Sequence, residues 1–383
     1  MSAARERYLR YCLRFAQMNE SNWAAIEADF GQLRRAWEDL SGLASNTIPQ
    51  PDEREWLVLA YVDAMDSFLE KRGLWRENLA WAERALTAAT ALEQEAIAGR
   101  WLNDIGWCYR SLGQPKVALE YLFQGLAIHR RVGPRAAEAI ALNNIGIAYD
   151  DLGQRRRALE FLEQALAIRR ELGDLAGEAI TRHNMASAYF SLSELDAAEA
   201  HYQAALELAR AFGDKLTEAG TLNNLGEVAL MRGSADQSTK HYLEALAMFE
   251  ALGDQTHTAA TFNNLGLLAQ HRGQPRQSIE YFEAALALQR QSGQRAAEAI
   301  TLNNLGTVYE GLGERQRALS YFEQALALHR ASGDETGEAT TLGNIGGVYY
   351  GLGEWGRAIS YYQGAREVFQ SVGEQNKAAT VLN

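Results

Sequence analysis

The sequence predicts an all-α protein, a solenoid of stacked antiparallel helix pairs. Three observations predict it. A short signature returns every 40 residues with no insertion or deletion: LNDIG at 102–106, LNNIG at 142–146, RHNMA at 182–186, LNNLG at 222–226, FNNLG at 262–266, LNNLG at 302–306 and LGNIG at 342–346. Apolar residues inside each period fall at helical spacing. The 33 glycines recur at fixed places while proline is rare, at 5. A chain of 383 residues would otherwise suggest two or three globular domains, but seven ungapped periods over 98–377 account for 280 of those residues.

Composition narrows the function classes. Apolar residues make up 47% and charged residues 22%, enough to bury a core and incompatible with a disordered chain. A net charge of −12 disfavours nucleic acid and anionic membranes as partners. Two cysteines, Cys12 and Cys108, supply neither a disulfide framework nor a four-cysteine zinc site. The opening MSAARERYLRYC carries charge where a signal peptide needs apolar residues, and no apolar run reaches the roughly 20 residues of a membrane span. A soluble, cytoplasmic protein of a reducing compartment is expected.

In chain order, residues 1–53 read as a helical hairpin over 3–41 with Asn22 near a cap, Gly42 past the end, and a loop-like linker at 42–53, SGLASNTIPQPD. Residues 54–97 hold a degenerate repeat: Val62, Met65, Leu69, Ala85 and Leu86 keep the register from 58 onward, but Asp66 occupies the glycine slot. Seven full repeats follow over 98–377. In the second, a helix over 138–152 carries Ile140, Leu142, Ile145, Ile147, Ala148 and Tyr149. Another over about 155–172 buries Ala158, Leu159, Leu162, Ala165, Leu166 and Ile168. Gly153 and Gly173 close them, and Asp174 is placed to cap the next helix. The mid-helix glycines 106, 146, 226, 266, 306 and 346 each cost roughly 1 kcal/mol against alanine. Close packing of the paired helix is the plain reason, and Ala186 fills the same slot. Residues 378–383, AATVLN, align with EAITLN at 298–303, the start of a further, truncated repeat. With no polar capping helix after it, the chain reads as a piece of a longer protein, the alternative being a short docked terminus.

These positions resemble the tetratricopeptide repeat. Its signature falls on Leu142, Ile145, Gly146, Tyr149, Ala158, Leu162 and Ala165, with Ala229 and Ala269 replacing the tyrosine and Ser238 and Ser278 the alanine elsewhere. The 40-residue form is similar to the repeats of kinesin light chains and of the C-terminal sensor regions of bacterial STAND-type ATPases. The resemblance implies a right-handed superhelix whose concave surface is lined by the first helix of each repeat, and it implies binding without naming a ligand.

On those first helices asparagine recurs at Asn144, Asn184, Asn224, Asn264, Asn304 and Asn344, with Asp104 ahead of them. A second set, Asn103, Asn143, Asn223, Asn263 and Asn303, lies one residue earlier. Asparagine is a poor mid-helix residue, so its recurrence needs a reason. Each amide matches the C=O and N–H of a peptide backbone, and a ladder of them would grip an extended protein or peptide segment. The competing reading is that the amides tie neighbouring helices together. Both readings stay open, with ligand contact favoured for the first set and structure for the second. Specificity would come from Trp107, Ile147, Ser187, Glu227, Leu267, Thr307 and Gly347, and one turn on from Arg110, Asp150, Phe190, Leu230, Gln270, Glu310 and Tyr350. The acids Asp104, Asp150, Glu227 and Glu310 favour a segment with apolar and some basic residues.

Seven of eight tryptophans (23, 37, 56, 75, 81, 101, 107) lie in the first 107 residues. They suit the core of irregular hairpins, or an interface such as one with an upstream NTPase domain. The histidines make no metal site by spacing. His201 and His241 hold a slot elsewhere filled by Tyr or Phe, and His129 and His329 are read at exposed helix ends without carboxylate partners. Glu160, Glu163 and Arg169 read as a solvated face. No phosphate loop, nucleophile elbow or metalloprotease motif is present, so neither an enzyme nor a cofactor is expected. The leading function is a protein- or peptide-binding scaffold, the sensing region of a signalling protein. Self-assembly through uncapped terminal repeats is the runner-up. A response-regulator phosphatase is a third reading, for which Gln17 and Gln32 are the only candidates.

Overall fold

The computed structural model describes residues 3–19, 22–41 and 51–371. Eighteen helices occupy them and no strand is found there. They divide into two units, residues 1–194 and 195–383. The first unit holds α1 (Ala3–Met18), α2 (Trp23–Ser41), α3 (Pro51–Lys71), α4 (Trp75–Ala91), α5 (Glu95–Ser111), α6 (Pro115–Val132), α7 (Arg135–Asp151), α8 (Arg155–Leu172) and α9 (Leu175–Ser191). The second holds α10 (Leu195–Phe212), α11 (Lys215–Met231), α12 (Ala235–Leu252), α13 (Gln255–His271), α14 (Pro275–Ser292), α15 (Arg295–Gly311), α16 (Arg315–Ser332), α17 (Glu335–Gly351) and α18 (Trp355–Ser371). From α5 onward the odd helices open a repeat and the even ones close it. Within each unit every hairpin packs on the next, as a solenoid requires. Successive opening helices also touch (α5 on α7, α7 on α9, α11 on α13, α13 on α15, α15 on α17), whereas closing helices do not meet to that extent. The opening helices therefore line the tighter side of each stack.

The mid-helix glycines are the contact that sets hairpin spacing. A Cβ on Gly146 would lie 2.6 Å from Leu162, and one on Gly306 2.5 Å from the ring of Phe322. Large buried side chains thus press against bare backbone. The column alternates in kind, with Leu122 and Leu162 facing Gly106 and Gly146, but Tyr242, Phe282, Phe322 and Tyr362 facing Gly226, Gly266, Gly306 and Gly346. The buried rings of Tyr242, Phe282 and Phe322, and the half-buried one of Tyr362, fill the extra volume in the second unit. At the N-terminal end Trp37, Trp81 and Trp101 are core, whereas Trp75 and Trp107 are half-buried and Trp56 is exposed. Trp37 stacks on Trp81 at 4.5 Å and Tyr61 donates its hydroxyl to Leu33 O at 2.7 Å.

Capping follows the sequence where aspartate is present. Asp174, Asp214, Asp254 and Asp334 accept from the backbone N–H of Gly177, Thr217, His257 and Gly337 at 2.9–3.1 Å, each worth about 1 kcal/mol. Asn22 caps α2 by accepting from Ala25 N at 3.4 Å. A further stitch joins each closing helix to the next opening one. Arg130, Arg170, Arg210, Arg290 and Arg330 donate Nε to Glu138, Glu178, Glu218, Glu298 and Glu338 at 2.7–3.1 Å. Burial opposes ionisation of Glu138, Glu178 and Glu218, yet their cationic partners hold all three below the ordinary carboxylate range. One stitch is missing, where Glu250 and Thr258 occupy the two positions and Phe249 instead stacks on His257 at 5.0 Å.

Several expectations need correction. Residues 51–53 are not linker but the first turn of α3, since Pro51 suits a helix's first position. The helix expected from 138 starts at Arg135. Gly133, at the place in the first repeat where Gly173 closes the second, is expected to be left-handed likewise but is extended (φ −89°), because Pro134 follows and restricts it. His129 and His329 are both buried, against the expected exposure, and His329 Nδ1 lies 2.8 Å from Asp334 Oδ2, so the expected lack of a carboxylate partner fails for His329. Burial lowers the His129 imidazole below its usual range. Arg169 is likewise buried, 3.6 Å from Asp174, while Glu160 and Glu163 are exposed as expected. Gly42, Gly373 and the 378–383 alignment lie outside the described residues.

Candidate functional site

The two asparagine columns meet each other. Asn144 Nδ2 donates to Asn103 Oδ1 at 3.3 Å, and Asn184 to Asn143 at 3.1 Å. In the second unit Asn264 donates to Asn223 at 3.2 Å, and Asn304 to Asn263 and Asn344 to Asn303 at 3.1 Å. Neighbouring opening helices are thus tied by amides 41 residues apart. The earlier column is the acceptor rail, and it takes a second bond from the hydroxyls of Thr261, Thr301 and Thr341 at 3.2–3.3 Å. Asn103 and Asn143 are buried, and Asn223, Asn263 and Asn303 are half-buried.

The later column, Asn144, Asn184, Asn224, Asn264, Asn304 and Asn344, stays half-buried on the opening-helix face. Asn224 donates to the Tyr202 hydroxyl at 3.1 Å. Asn264 donates also to Glu227 Oε1 at 3.2 Å, and Asn144 Oδ1 accepts from Asn143 at 3.5 Å. The side-chain carbonyls of Asn184, Asn304 and Asn344 accept no hydrogen bond among the described residues and keep that capacity for something else.

Around this column the face is acidic and partly desolvated. Burial raises the Glu227 carboxyl, against the opposing bond from Asn264, and raises Glu310 against the pull of Arg315. Asp150 is raised by burial, with Arg155 opposing it. Asp104 lies near Arg100, 3.6 Å from its Nε, and burial pushes its carboxyl up to about 7. Leu267, Thr307 and Tyr350 are exposed, while Trp107, Ile147, Ser187 and Phe190 are half-buried. The expected acids therefore sit with the asparagines on one kind of helix, though Glu227 and Glu310 lie two opening helices apart.

Other candidate chemistry is sparse. Among the described residues no three His, Cys, Asp or Glu side chains are arranged to hold a metal ion. No helix there is long and apolar enough to cross a membrane. Cys12 and Cys108 are buried thiols, Cys108 pushed up to about 12 by burial and neighbouring carboxylates. Gln17 and Gln32 are exposed, and Gln32 donates to Asp29 at 3.3 Å. Sequence reasoning missed the arginine–glutamate stitch, although its eight-residue spacing recurs visibly.

A tetratricopeptide repeat family model matches residues 124–171, 177–251 and 257–331, and a second of the same description matches 341–367. No curated protein matches the chain as a sequence relative. Among solved structures, the apo quorum sensor NprR from B. thuringiensis aligns with a TM-score of 0.67 and 17% identity, over 92% of this chain and 97% of that one. A Rap protein complexed with Competence and Sporulation Factor aligns at 0.63 and 14%, over 96% and 99%. A signal transduction ATPase with numerous domains and a tetratricopeptide repeat sensor, from Pyrococcus horikoshii, aligns at 0.61 and 14%, over 92% of this chain and 54% of that one. At such identities the likeness is one of fold.

Proposed function

The chain belongs to the tetratricopeptide repeat family, and on that premise we propose that its opening-helix face binds an extended protein or peptide segment, without catalysis, as the sensing region of a signalling protein. The observation that carries this reading is the half-spent amide column. Each tie uses one N–H, and the carbonyls of Asn184, Asn304 and Asn344 are left to accept from a ligand backbone. Half-buried Glu227 and Glu310 favour a segment bearing basic as well as apolar residues. Support also comes from the Rap structure of like fold, which is complexed with Competence and Sporulation Factor. The ligand would be met in the cytoplasm.

The test is a peptide-array screen on the purified protein, repeated with Asn224, Asn264 and Asn304 all changed to alanine, with thermal unfolding recorded for both. Asn223 and Asn263 keep their threonine donors in that variant, so the fold should survive. Binding lost at an unchanged midpoint supports the grip; binding retained, or no binding by either form, overturns it.

Self-association is a second reading favoured by one observation. Ile359 on α18 is 55% exposed, whereas Leu319 at the same place in the preceding repeat packs into the core. Sedimentation over a hundredfold concentration range checks it; a constant mass removes it.

A further inference from the structure

Three replacements coincide where α12 meets α13. At the stitched junctions an arginine on a closing helix bonds a glutamate on the next opening helix, and at three of them its Nη2 reaches on to the closing helix beyond. Arg130 meets Gln164 at 3.3 Å, Arg290 meets Gln324 at 3.2 Å, and Arg210 lies 3.9 Å from Glu244. Here the same positions hold Glu250, Thr258 and Ala284. Each side chain is shorter than the one it replaces. The room left is a cavity of about 480 Å³, lined by these residues with Phe262, Ala287 and Leu288.

Shape and charge together say what would fill it. The walls are apolar, and Phe262 adds a half-buried ring where the neighbouring repeats have Leu222 and Leu302. Thr258 is buried and its hydroxyl is already spent on Asp254 O at 2.7 Å. The one charged group is Glu250, at the exposed mouth, whose carboxylate has no ion pair or hydrogen bond among the described residues. The sign is thus reversed: a carboxylate stands where the other junctions carry a guanidinium, and the glutamate that would face it is gone. Such a cavity fits a long side chain with an apolar stem and a cationic end. Arginine fits better than lysine, because the chain's own junctions lay a guanidinium across these positions and a flat guanidinium also stacks on an aromatic ring such as Phe262. An open mouth suits a side chain delivered from a protein surface, whereas a small ligand needs a site that encloses most of it.

We propose that this cavity receives an arginine side chain of a partner protein that docks across the closing helices α12 and α14. The site shares no residue with the asparagine columns or with the acids around them. It therefore stands apart from the groove-binding reading, and a partner held here does not compete for the amide column.

The probes are the peptide acetyl-Ala-Arg-Ala-amide and its citrulline counterpart, which keeps the shape and loses the charge. Both are titrated into the whole protein with its alanine and threonine methyl groups labelled for NMR. The arginine peptide should bind about 10-fold more tightly, for one exposed ion pair and one cation–ring contact together, and should shift the methyls of Thr258, Ala284 and Ala287. Glu250→Gln keeps the cavity and removes its charge; at an exposed position it should fold normally and bring the preference to within about 2-fold of unity. Glu250→Arg with Thr258→Glu rebuilds the stitch that the other junctions use and should abolish the methyl shifts. Equal binding of the two peptides, shifts confined to other methyls, or a preference that survives Glu250→Gln overturns the site. Failure of both peptides to bind also overturns it, and the array screen with the asparagine variant still decides the groove reading by itself.

Discussion

Replacing Asn263 by alanine should destabilise the second unit, whereas replacing Asn304, its hydrogen-bond partner, should barely do so. Asn263 Oδ1 accepts from Asn304 at 3.1 Å and from Thr301 at 3.3 Å. Removing it strands two donors, of which the Thr301 hydroxyl is fully buried. At about 1 kcal/mol for each lost bond, with a further penalty of about 1 kcal/mol for the stranded hydroxyl, the loss is about 3 kcal/mol. Alanine returns roughly 0.6 kcal/mol in helix propensity, so the net cost is about 2 kcal/mol. Asn304→Ala removes one bond, leaves Asn263 satisfied by Thr301, and regains the same propensity, for a net cost below about 0.5 kcal/mol. Stacked repeats need not unfold in one step. The assay is therefore urea unfolding followed by hydrogen exchange of α13 and α15. Equal costs for the two changes, or a larger cost at Asn304, would refute the assignment of the earlier column as acceptor rail.

Four other outcomes follow from the same geometry. Gly306→Ala should destabilise by about 1–2 kcal/mol, because the Phe322 ring must move. Gly343→Ala, which meets nothing within 4 Å in α17, should stabilise by up to about 1 kcal/mol, and melting curves of the pair give the two signs. Ser193 holds a left-handed conformation (φ 61°) where Gly153 and Gly233 stand in other repeats, so Ser193→Gly should raise stability by about 1 kcal/mol in chemical denaturation. Asp104 titrates near 7 in the folded chain and near 4 when unfolded, so the folded form binds the extra proton. Its stabilising contribution is complete below pH 4 and is lost as pH rises to 7. Asp104→Asn should therefore gain on the natural chain by on the order of 2 kcal/mol between pH 4.5 and 7.5; a constant difference across that range contradicts the buried carboxyl.

Much of the fold is legible because the repeat is. A period of 40 residues fixes where each helix starts and stops, and glycine in a helix interior announces a close neighbour before that neighbour is seen. The asparagine ladder is only half legible. Two columns each spaced by 40 residues suggest two parallel rows, yet the bonds run between the columns over 41 residues. That offset comes from the stagger of adjacent opening helices, which no single helix encodes. Arg169, His129 and His329 misled for a related reason. They are polar, but they share a column with Ala209 and Phe249, both buried, and the column predicts their environment better than their own chemistry does. The departure at Asp66 from the glycine column was legible, but its bond to Asn78 needed the packed hairpin.

The missing stitch between α12 and α13 alters how the second unit bears load. An arginine–glutamate pair is directional, so shearing one repeat past the next must break it. Phe249 against His257 is a stacked pair of flat rings, which can slide with little loss of contact. Arg272, just past the far end of α13, still pairs with Asp236 at the start of α12 at 2.6 Å, so a pull or twist along this unit loosens first the other end of α12–α13, the end that the stitch pins at α10–α11, α14–α15 and α16–α17. Such a compliant joint between stiff segments makes the stack behave less like a uniform spring than like a jointed rod, with its one soft bearing between Leu252 and Gln255.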